Sequence, residues 1–121
     1  MDVIWVKNSQ NNQWFDLLRL NLSAPYFLGR TGVYVIWYTN PQAAKVIYVG
    51  SGVIGERLSE HTKNPEILKY SQYGQLKVSW VLLDNESTMR GVEAFIANSY
   101  NPIIGERYPG IDPVRVNLIG Q

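Results

Sequence analysis

Residues 32–50 of the chain read GVYVIWYTNPQAAKVIYVG, and this stretch decides the fold. Every residue over 33–38 is apolar or aromatic, which predicts a central strand with both faces buried. Asn40 and Pro41 mark a turn, and a second apolar run follows over 46–49. Because the connection between the two runs is short, the second strand is predicted to return antiparallel to the first.

The residues after this hairpin predict a mixed α/β domain of the α+β type. A Gly-Ser-Gly segment at 50–52 ends the second strand, and apolar residues alternate with polar ones over 76–82, which predicts a third strand. Helices are expected over three segments: 53–62, 66–70 and 89–100. The sequence therefore predicts a small three-stranded antiparallel sheet packed with helices.

A length of 121 residues is that of about one domain. Three parts are expected along the chain: an N-terminal extension over 1–29, a central domain over 30–105 and a C-terminal tail over 106–121. The extension is predicted to form a helix over 14–20. The tail is rich in glycine and proline at its start and is predicted to add an edge strand over 114–118.

The composition limits the functions that the chain can have. Zero cysteines exclude disulfides and thiolate metal sites and are typical of a cytoplasmic protein. The first twenty residues contain no apolar run long enough for a signal peptide or a membrane span, so no membrane association is expected. The formal net charge is only +1, which argues against tight DNA binding by the isolated chain.

Two tyrosines, Tyr34 and Tyr48, lie on the two strands of the hairpin, each beside a glycine. Tyrosine is common in strands, so both residues can be core aromatics whose hydroxyls reach the surface. A phenol with a pKa near about 10 is a poor base, and it becomes useful only where positive charge lowers that pKa.

Arg57 and His61 can supply that positive charge. They lie four residues apart on a predicted helix and therefore on one face of it. An arginine there can bind a phosphate through two hydrogen bonds, and His61, the single histidine, suits a phosphate contact or a proton relay. The alternative is a solvated helix face, with Glu56 and Glu60 beside the two residues.

Glu93 is the carboxylate that the pattern singles out, because it lies among the apolar residues of its predicted helix. A buried carboxylate needs a partner. That partner is either Arg90, three residues earlier, or one divalent cation, since Mg²⁺ is often bound by a single carboxylate together with waters and a substrate phosphate.

A second motif competes for the same segment. Residues 50–55 read GSGVIG and match the glycine pattern of dinucleotide-binding turns, with Asp84 further on. That acidic residue comes later than the pattern requires, and the chain is too short for a doubly wound sheet with a substrate site. A glycine-rich turn before a helix can nevertheless receive a phosphate of another ligand.

The order of the candidate residues resembles that of the GIY-YIG nuclease superfamily. Gly-Val-Tyr at 32–34 and Tyr-Val-Gly at 48–50 are similar to its two motifs. Arg57, followed by a leucine and four residues later by His61, is similar to the Arg-Leu-x-x-His of many members. Glu93, in an apolar helix, matches the metal-binding glutamate of the family.

The resemblance covers 30–105 and implies a GIY-YIG-like fold and metal-dependent hydrolysis of DNA phosphodiester bonds by an endonuclease. The residues that it implies for catalysis are Tyr34, Tyr48, Arg57 and His61, with Glu93 as the metal ligand. One tyrosine, with Tyr34 favoured for the direct contact, would activate or orient water, and Arg57 would stabilise the developing charge. The implied cofactor is one divalent ion, Mg²⁺ or Mn²⁺.

Two positions depart from the family pattern. Family members usually have an asparagine twelve residues after the glutamate, and this chain has Gly105 there. Some members have a lysine after the second motif, where this chain has Ser51. A second hypothesis therefore remains open: a catalytically degenerate domain of the same fold that binds nucleic acid or a protein partner without cutting it.

The expected partner is DNA, bound weakly and in a salt-sensitive manner. The candidate nucleic-acid contacts, besides the catalytic residues, are Ser51, Lys45, Lys63 and Lys77. Since so few basic residues can face the substrate together, a homo-oligomer or a partner protein is expected to extend the basic surface.

Overall fold

The computed structural model describes residues 1–105 and 110–120, which form a mixed α/β fold with a four-stranded antiparallel sheet. The strands, in chain order, are β1, Phe15–Asp16; β2, Thr31–Thr39; β3, Ala44–Val53; and β4, Gln75–Leu82. Within the described residues the α-helices are α1, Ile54–His61; α2, Pro65–Leu68; and α3, Glu86–Tyr100. The short 3₁₀ turns are Leu17–Arg19, Pro25–Phe27 and Lys69–Gln72.

The predicted hairpin is confirmed as β2 and β3, although β3 continues through the Gly-Ser-Gly segment to Val53 instead of ending there. Across the sheet the strands lie in the order β1-β4-β2-β3, so β2 pairs on both sides and β3 is an edge strand. Val33 and Val35 pack into one core and Tyr34 and Ile36 into the other, because successive side chains of a strand point to opposite faces. This two-sided burial explains the continuous apolar run of β2.

Each face of the sheet is covered by different helices. One core joins Val33, Val35 and Trp37 to Val92 and Ile96 of α3. The other core includes Tyr34 and Ile36 together with residues of α1 and α2, Ile54, Leu58 and Ile67. The sheet therefore separates α1 from α3, and a site that uses both helices has to lie at an edge of the sheet.

The prediction of three strands is wrong by one short strand. Phe15 pairs with Val78 and Asp16 with Lys77, which adds β1 beside β4. The predicted helix over 14–20 does not form; β1 and a single 3₁₀ turn take its place. An ion pair of 2.6 Å between Lys77 and Asp16 supports this pairing, and two residues of strand are too few to give a periodic sequence pattern.

The predicted edge strand over 114–118 is also absent from the described residues. The backbone nitrogen of Val114 instead donates a hydrogen bond to the carbonyl oxygen of Gly91 in α3, and Val116 is buried in the core beside that helix. Asn117 exchanges hydrogen bonds with the backbone of Val3. This segment therefore covers α3 rather than the sheet. Residues 106–109 and 121 of the predicted tail lie outside the described residues.

The antiparallel sheet excludes the dinucleotide-binding interpretation of 50–55, which requires parallel strands joined by crossover helices. Among the described residues, no helix is both long and apolar enough to cross a membrane.

Candidate active site

Four of the predicted site residues meet on the face of the sheet that α1 covers. The hydroxyl of Tyr34 lies 2.6 Å from Nε2 of His61. The ring of Tyr48 lies 4.4 Å, centroid to centroid, from the ring of His61 and 6.1 Å from the nearly parallel ring of Tyr34. Arg57, one turn before His61 in α1, lies close enough to Tyr34 for its charge to lower the pKa of that phenol. The hairpin and α1 thus bring together groups that are far apart in the sequence.

Gly50 makes this arrangement sterically possible. It lies opposite Tyr34 in the β2–β3 register, and the ring of Tyr34 extends across it. A Cβ atom at this position would lie 2.6 Å from Cζ of Tyr34 and 2.9 Å from Cε1 of Tyr48. The glycine of the Tyr-Val-Gly segment is therefore required by the close packing of the two tyrosines.

Burial, rather than the neighbouring arginine, determines the protonation of Tyr34. The side chain is fully buried, and desolvation raises the pKa of Tyr34 well above its usual range, with a further contribution from Tyr48. The charge of Arg57 lowers the pKa of Tyr34 but does not overcome burial. The sequence-based expectation of an acidified phenol is therefore not met at Tyr34, which remains a neutral hydroxyl.

His61 is neutral for a related reason. Burial, assisted by the charge of Arg57 and opposed by that of Glu60, lowers the pKa of His61 to about 4. Since Tyr34 keeps its proton, its hydroxyl donates the hydrogen bond to Nε2, and the ring proton of His61 is on Nδ1. Tyr34 and His61 therefore form a neutral hydrogen-bonded pair beneath the site.

Tyr48 and Arg57 are the members of this group that reach solvent. Tyr48 is half-buried, whereas Tyr34 is fully buried, so the hydroxyl of Tyr48 is the better placed to contact a water or a substrate. The side chain of Arg57 is 38% exposed and lies 3.5 Å from the exposed carboxylate of Glu60. Its Nε is buried, so an anion would have to meet the exposed part of the Arg57 side chain.

Glu93 approaches the same strand from the other face of the sheet. It lies in α3, is 7% exposed, and its Oε1 accepts a hydrogen bond of 2.5 Å from the hydroxyl of Ser51. Ser51 follows Gly50 in β3 and pairs with Val33, which faces α3. The two phenols and Glu93 therefore contact neighbouring residues of the edge strand, Gly50 and Ser51, from opposite sides.

The alternative partner of Glu93 can be eliminated. Arg90 forms an exposed ion pair of 3.0 Å with Glu86, one turn earlier in α3. Within the part of the chain that the structure describes, Glu93 forms no ion pair and accepts its hydrogen bond from Ser51 alone. A buried carboxylate without a basic partner is a feature that a bound cation would explain.

The donors at Glu93 suit one hard cation that keeps most of its waters. Among the described residues there is no cluster of three or more acidic, histidine or cysteine side chains. Glu93 supplies a carboxylate and Ser51 a hydroxyl, and both provide the oxygen ligands that Mg²⁺ or Mn²⁺ prefers. A binding site with one carboxylate is consistent with an ion held partly by substrate phosphate.

The structure changes the interpretation of Ser51. The sequence suggested a contact with nucleic acid, but the Ser51 hydroxyl is bound to Glu93. No local sequence signal could have revealed this contact, because the two residues are far apart in the chain and meet only when α3 packs on β3.

The three candidate lysines do not gather at the site. Lys77 is held by Asp16 in an ion pair on the far side of the sheet. Lys45 is exposed near the start of β3, about 20 Å from Ser51 along the strand. Lys63 is exposed just beyond the end of α1, near His61 in sequence. Among the residues that the structure describes, the positive charge brought to the tyrosines is therefore that of Arg57.

Gly105, where the family pattern has an asparagine, lies against the site. A Cβ at Gly105 would come within 3.8 Å of Cε2 of Tyr48, so this position borders the Tyr48 ring. Its φ of +120° lies in a region that residues with a side chain rarely adopt. The backbone here is therefore adapted to glycine, and no side chain covers this part of Tyr48 from position 105.

Comparison with protein-family models, with curated proteins and with solved structures yields no match for this chain.

Proposed function

We propose that this protein is a metal-dependent endonuclease that hydrolyses DNA phosphodiester bonds through a site of the GIY-YIG type. The observation that supports this proposal best is the arrangement around β3. An accessible phenol and an arginine lie on one side of the strand, and on the other lies a buried carboxylate that pairs with no basic side chain of the described residues. Phosphodiester hydrolysis needs such a combination of groups for water, phosphate and metal.

In this proposal Arg57 binds the phosphate and stabilises the negative charge that develops on it. Its partly exposed side chain leaves hydrogen-bond donors for a phosphate oxygen. The weak exposed contact with Glu60 costs little to break when a phosphate arrives, since such pairs contribute about 0–1 kcal/mol.

Tyr48 orients the attacking water in this scheme, and Tyr34 acts as its support. The Tyr48 ring packs against the rings of both His61 and Tyr34, which restricts the direction of its hydroxyl. Tyr34 and His61 stay neutral. The buried side of the site therefore carries no charge that would interfere with the contact between Arg57 and the phosphate.

Glu93, oriented by Ser51, is the proposed ligand of one Mg²⁺ or Mn²⁺ ion. When bound, such an ion lowers the pKa of a coordinated water and neutralises charge on the phosphate. The lack of cysteine is consistent with action in the cytoplasm.

The partner of this site would be DNA, bound weakly and with strong salt dependence. The candidate lysines lie apart from the tyrosines, and the formal net charge is only +1. We therefore expect a second copy of the chain or a partner protein to add basic surface when DNA is bound.

The experiment that tests the proposal is incubation of the purified protein with supercoiled plasmid, in Mg²⁺ or Mn²⁺ and in excess chelator. Nicked or linear plasmid should form with the metal and not with the chelator. Unchanged plasmid under every metal condition would contradict the proposed activity.

One observation favours a second candidate function, a domain of this fold that binds nucleic acid or protein without cutting. Gly105 leaves the Tyr48 ring without the side chain that the family pattern places there. Intact plasmid together with measurable DNA binding would support this alternative over the nuclease.

A further inference from the structure

A small aromatic pocket lies at the start of β3, away from the tyrosine pair. Its volume is about 360 Å³, and its walls include Trp14, Trp37 and Tyr100, with Lys45 at its rim. Trp14 and Trp37 pack edge to face at 5.9 Å, so the pocket presents rings in two orientations. This volume is at the lower end of the range for small-ligand sites.

Two lysines add positive charge beside these rings. The ammonium of Lys7 lies 4.4 Å from the centre of the Trp14 ring, and Lys45 is exposed. Within the described residues neither lysine forms an ion pair, unlike Lys69 and Lys77. Aromatic walls beside cations that no ion pair of the described residues neutralises suit a ligand that is planar at one end and anionic at the other.

The pocket lies on the same edge of the sheet as Glu93. Tyr100 follows Glu93 by two turns of α3, so the two residues lie on the same side of that helix, about 10 Å apart. Val46, which also lines the pocket, belongs to the same edge strand as Ser51. Lys45, at the other side of the pocket, lies about 20 Å from Ser51 along β3, so the pocket is roughly three to six nucleotides of a stacked strand from the Glu93 site.

We infer that this pocket binds an unpaired nucleobase of the substrate strand, a few nucleotides from the phosphate at Glu93, while Lys45 and Lys7 contact the adjoining phosphates. The inference rests on the proposed function, which places a phosphate of the substrate strand at Glu93. Bases stack on aromatic rings with little sequence preference, so the pocket would select DNA with an unpaired base rather than a particular sequence.

The test is a fluorescence titration of the full chain, in chelator, with two probes of about eight positions each. One is single-stranded oligothymidylate, and the other is a backbone of the same length and charge in which every site is abasic. Two of the four tryptophans, Trp14 and Trp37, line the pocket, so a stacked base should quench their emission. We expect the abasic probe to bind about tenfold more weakly or worse, with little quenching.

Variants identify the site that the probes occupy. Lys45→Glu should abolish most of the quenching and should fold normally, because Lys45 is exposed. Trp14→Ala should remove the preference for probes with bases. The matched control is Lys69→Glu, which reverses the charge of a lysine that lies beside the Tyr70 ring and outside the pocket. This control should keep most of the affinity and all of the preference for bases.

Three results would overturn the inference: equal binding of the two probes, no quenching by either, or quenching unchanged by Lys45→Glu. A pocket that instead receives a side chain of a partner protein would give the second of these results. Because the titration needs neither metal nor cleavage, its failure would leave the plasmid result standing, and failure of plasmid nicking would leave the titration standing.

Discussion

The hydroxyl of Tyr34 lies 2.6 Å from Nε2 of His61, and both groups are held neutral by burial. The sequence predicted that His61 could supply positive charge to a neighbouring phenol. The structure shows a neutral pair, on which the ring of Tyr48 rests. Any change that charges His61 should therefore disturb both the fold and the site.

Acid should destabilise the protein through His61. The folded-state pKa of about 4 lies below the ordinary value of 6.5, so protonation favours the unfolded chain. The stability that neutral His61 contributes is fully present above about pH 6.5. It is lost as the pH falls towards the folded-state pKa, by up to about 3 kcal/mol. Urea unfolding between about pH 7.5 and pH 4.5 should show a steeper fall in the free energy of unfolding for the native protein than for His61→Gln. Parallel pH profiles would contradict this prediction.

Replacing each tyrosine by phenylalanine should distinguish the tyrosine that supports the site from the one that takes part in the reaction. Tyr34→Phe removes the donor to His61 and leaves a buried acceptor unpaired, which should cost about 1–2 kcal/mol in the free energy of unfolding. Tyr48→Phe should leave stability nearly unchanged, because the ring is kept, and should lower the nicking rate about a hundredfold or more. Urea unfolding and plasmid nicking measure the two effects. A larger rate loss in folded Tyr34→Phe than in Tyr48→Phe would reverse the assignment.

The hairpin could be predicted because β2 is buried on both faces, which gives a continuous apolar run before an Asn-Pro turn. β1 could not, since two residues show no periodicity and their pairing depends on Asp16 meeting Lys77 from a distant strand.

Within the candidate site, the meeting of Tyr34, Arg57 and His61 followed from helix spacing and strand order. The hydrogen bond between Ser51 and Glu93 did not, because it depends on how α3 packs on β3. Nor could the sequence show that desolvation outweighs Arg57 at Tyr34, since that balance depends on the depth of burial.

Gly50→Ala should destabilise the fold and disorder the tyrosine pair. The added methyl group would overlap the ring of Tyr34 and crowd that of Tyr48, and such overpacking costs about 1–3 kcal/mol. Gly110→Ala is the matched control, because a Cβ at Gly110 would meet nothing within 4 Å. Urea unfolding should show a clear loss for the first variant and a change below about 0.5 kcal/mol for the second. Equal stabilities would show that the rings move aside freely.

Arg57→Ala should lower the nicking rate by about two to three orders of magnitude, because among residues 1–105 and 110–120 Arg57 is the cation whose charge acts on Tyr34. Arg57→Lys should recover only part of this loss, since lysine keeps the charge but not the planar set of donors. The control is Arg90→Ala, which removes an exposed arginine paired with Glu86. The rates are measured on supercoiled plasmid, and an undiminished rate in Arg57→Ala would indicate a contaminating nuclease.

Glu93→Gln should abolish metal-dependent nicking while the protein stays folded. The amide has the size of the carboxylate and can still accept the hydrogen bond from Ser51, but it loses the charge that would hold the cation. Removing a buried charge that has no basic partner among residues 1–105 and 110–120 should leave the free energy of unfolding equal or higher in chelator. The matched control is Glu86→Gln in the first turn of the same helix, whose carboxylate is exposed and paired with Arg90.

Plasmid nicking against Mn²⁺ concentration, together with urea unfolding with and without Mn²⁺, checks both effects. Mn²⁺ should stabilise the native protein and Glu86→Gln but not Glu93→Gln, and nicking that persists in Glu93→Gln would remove Glu93 from the metal site.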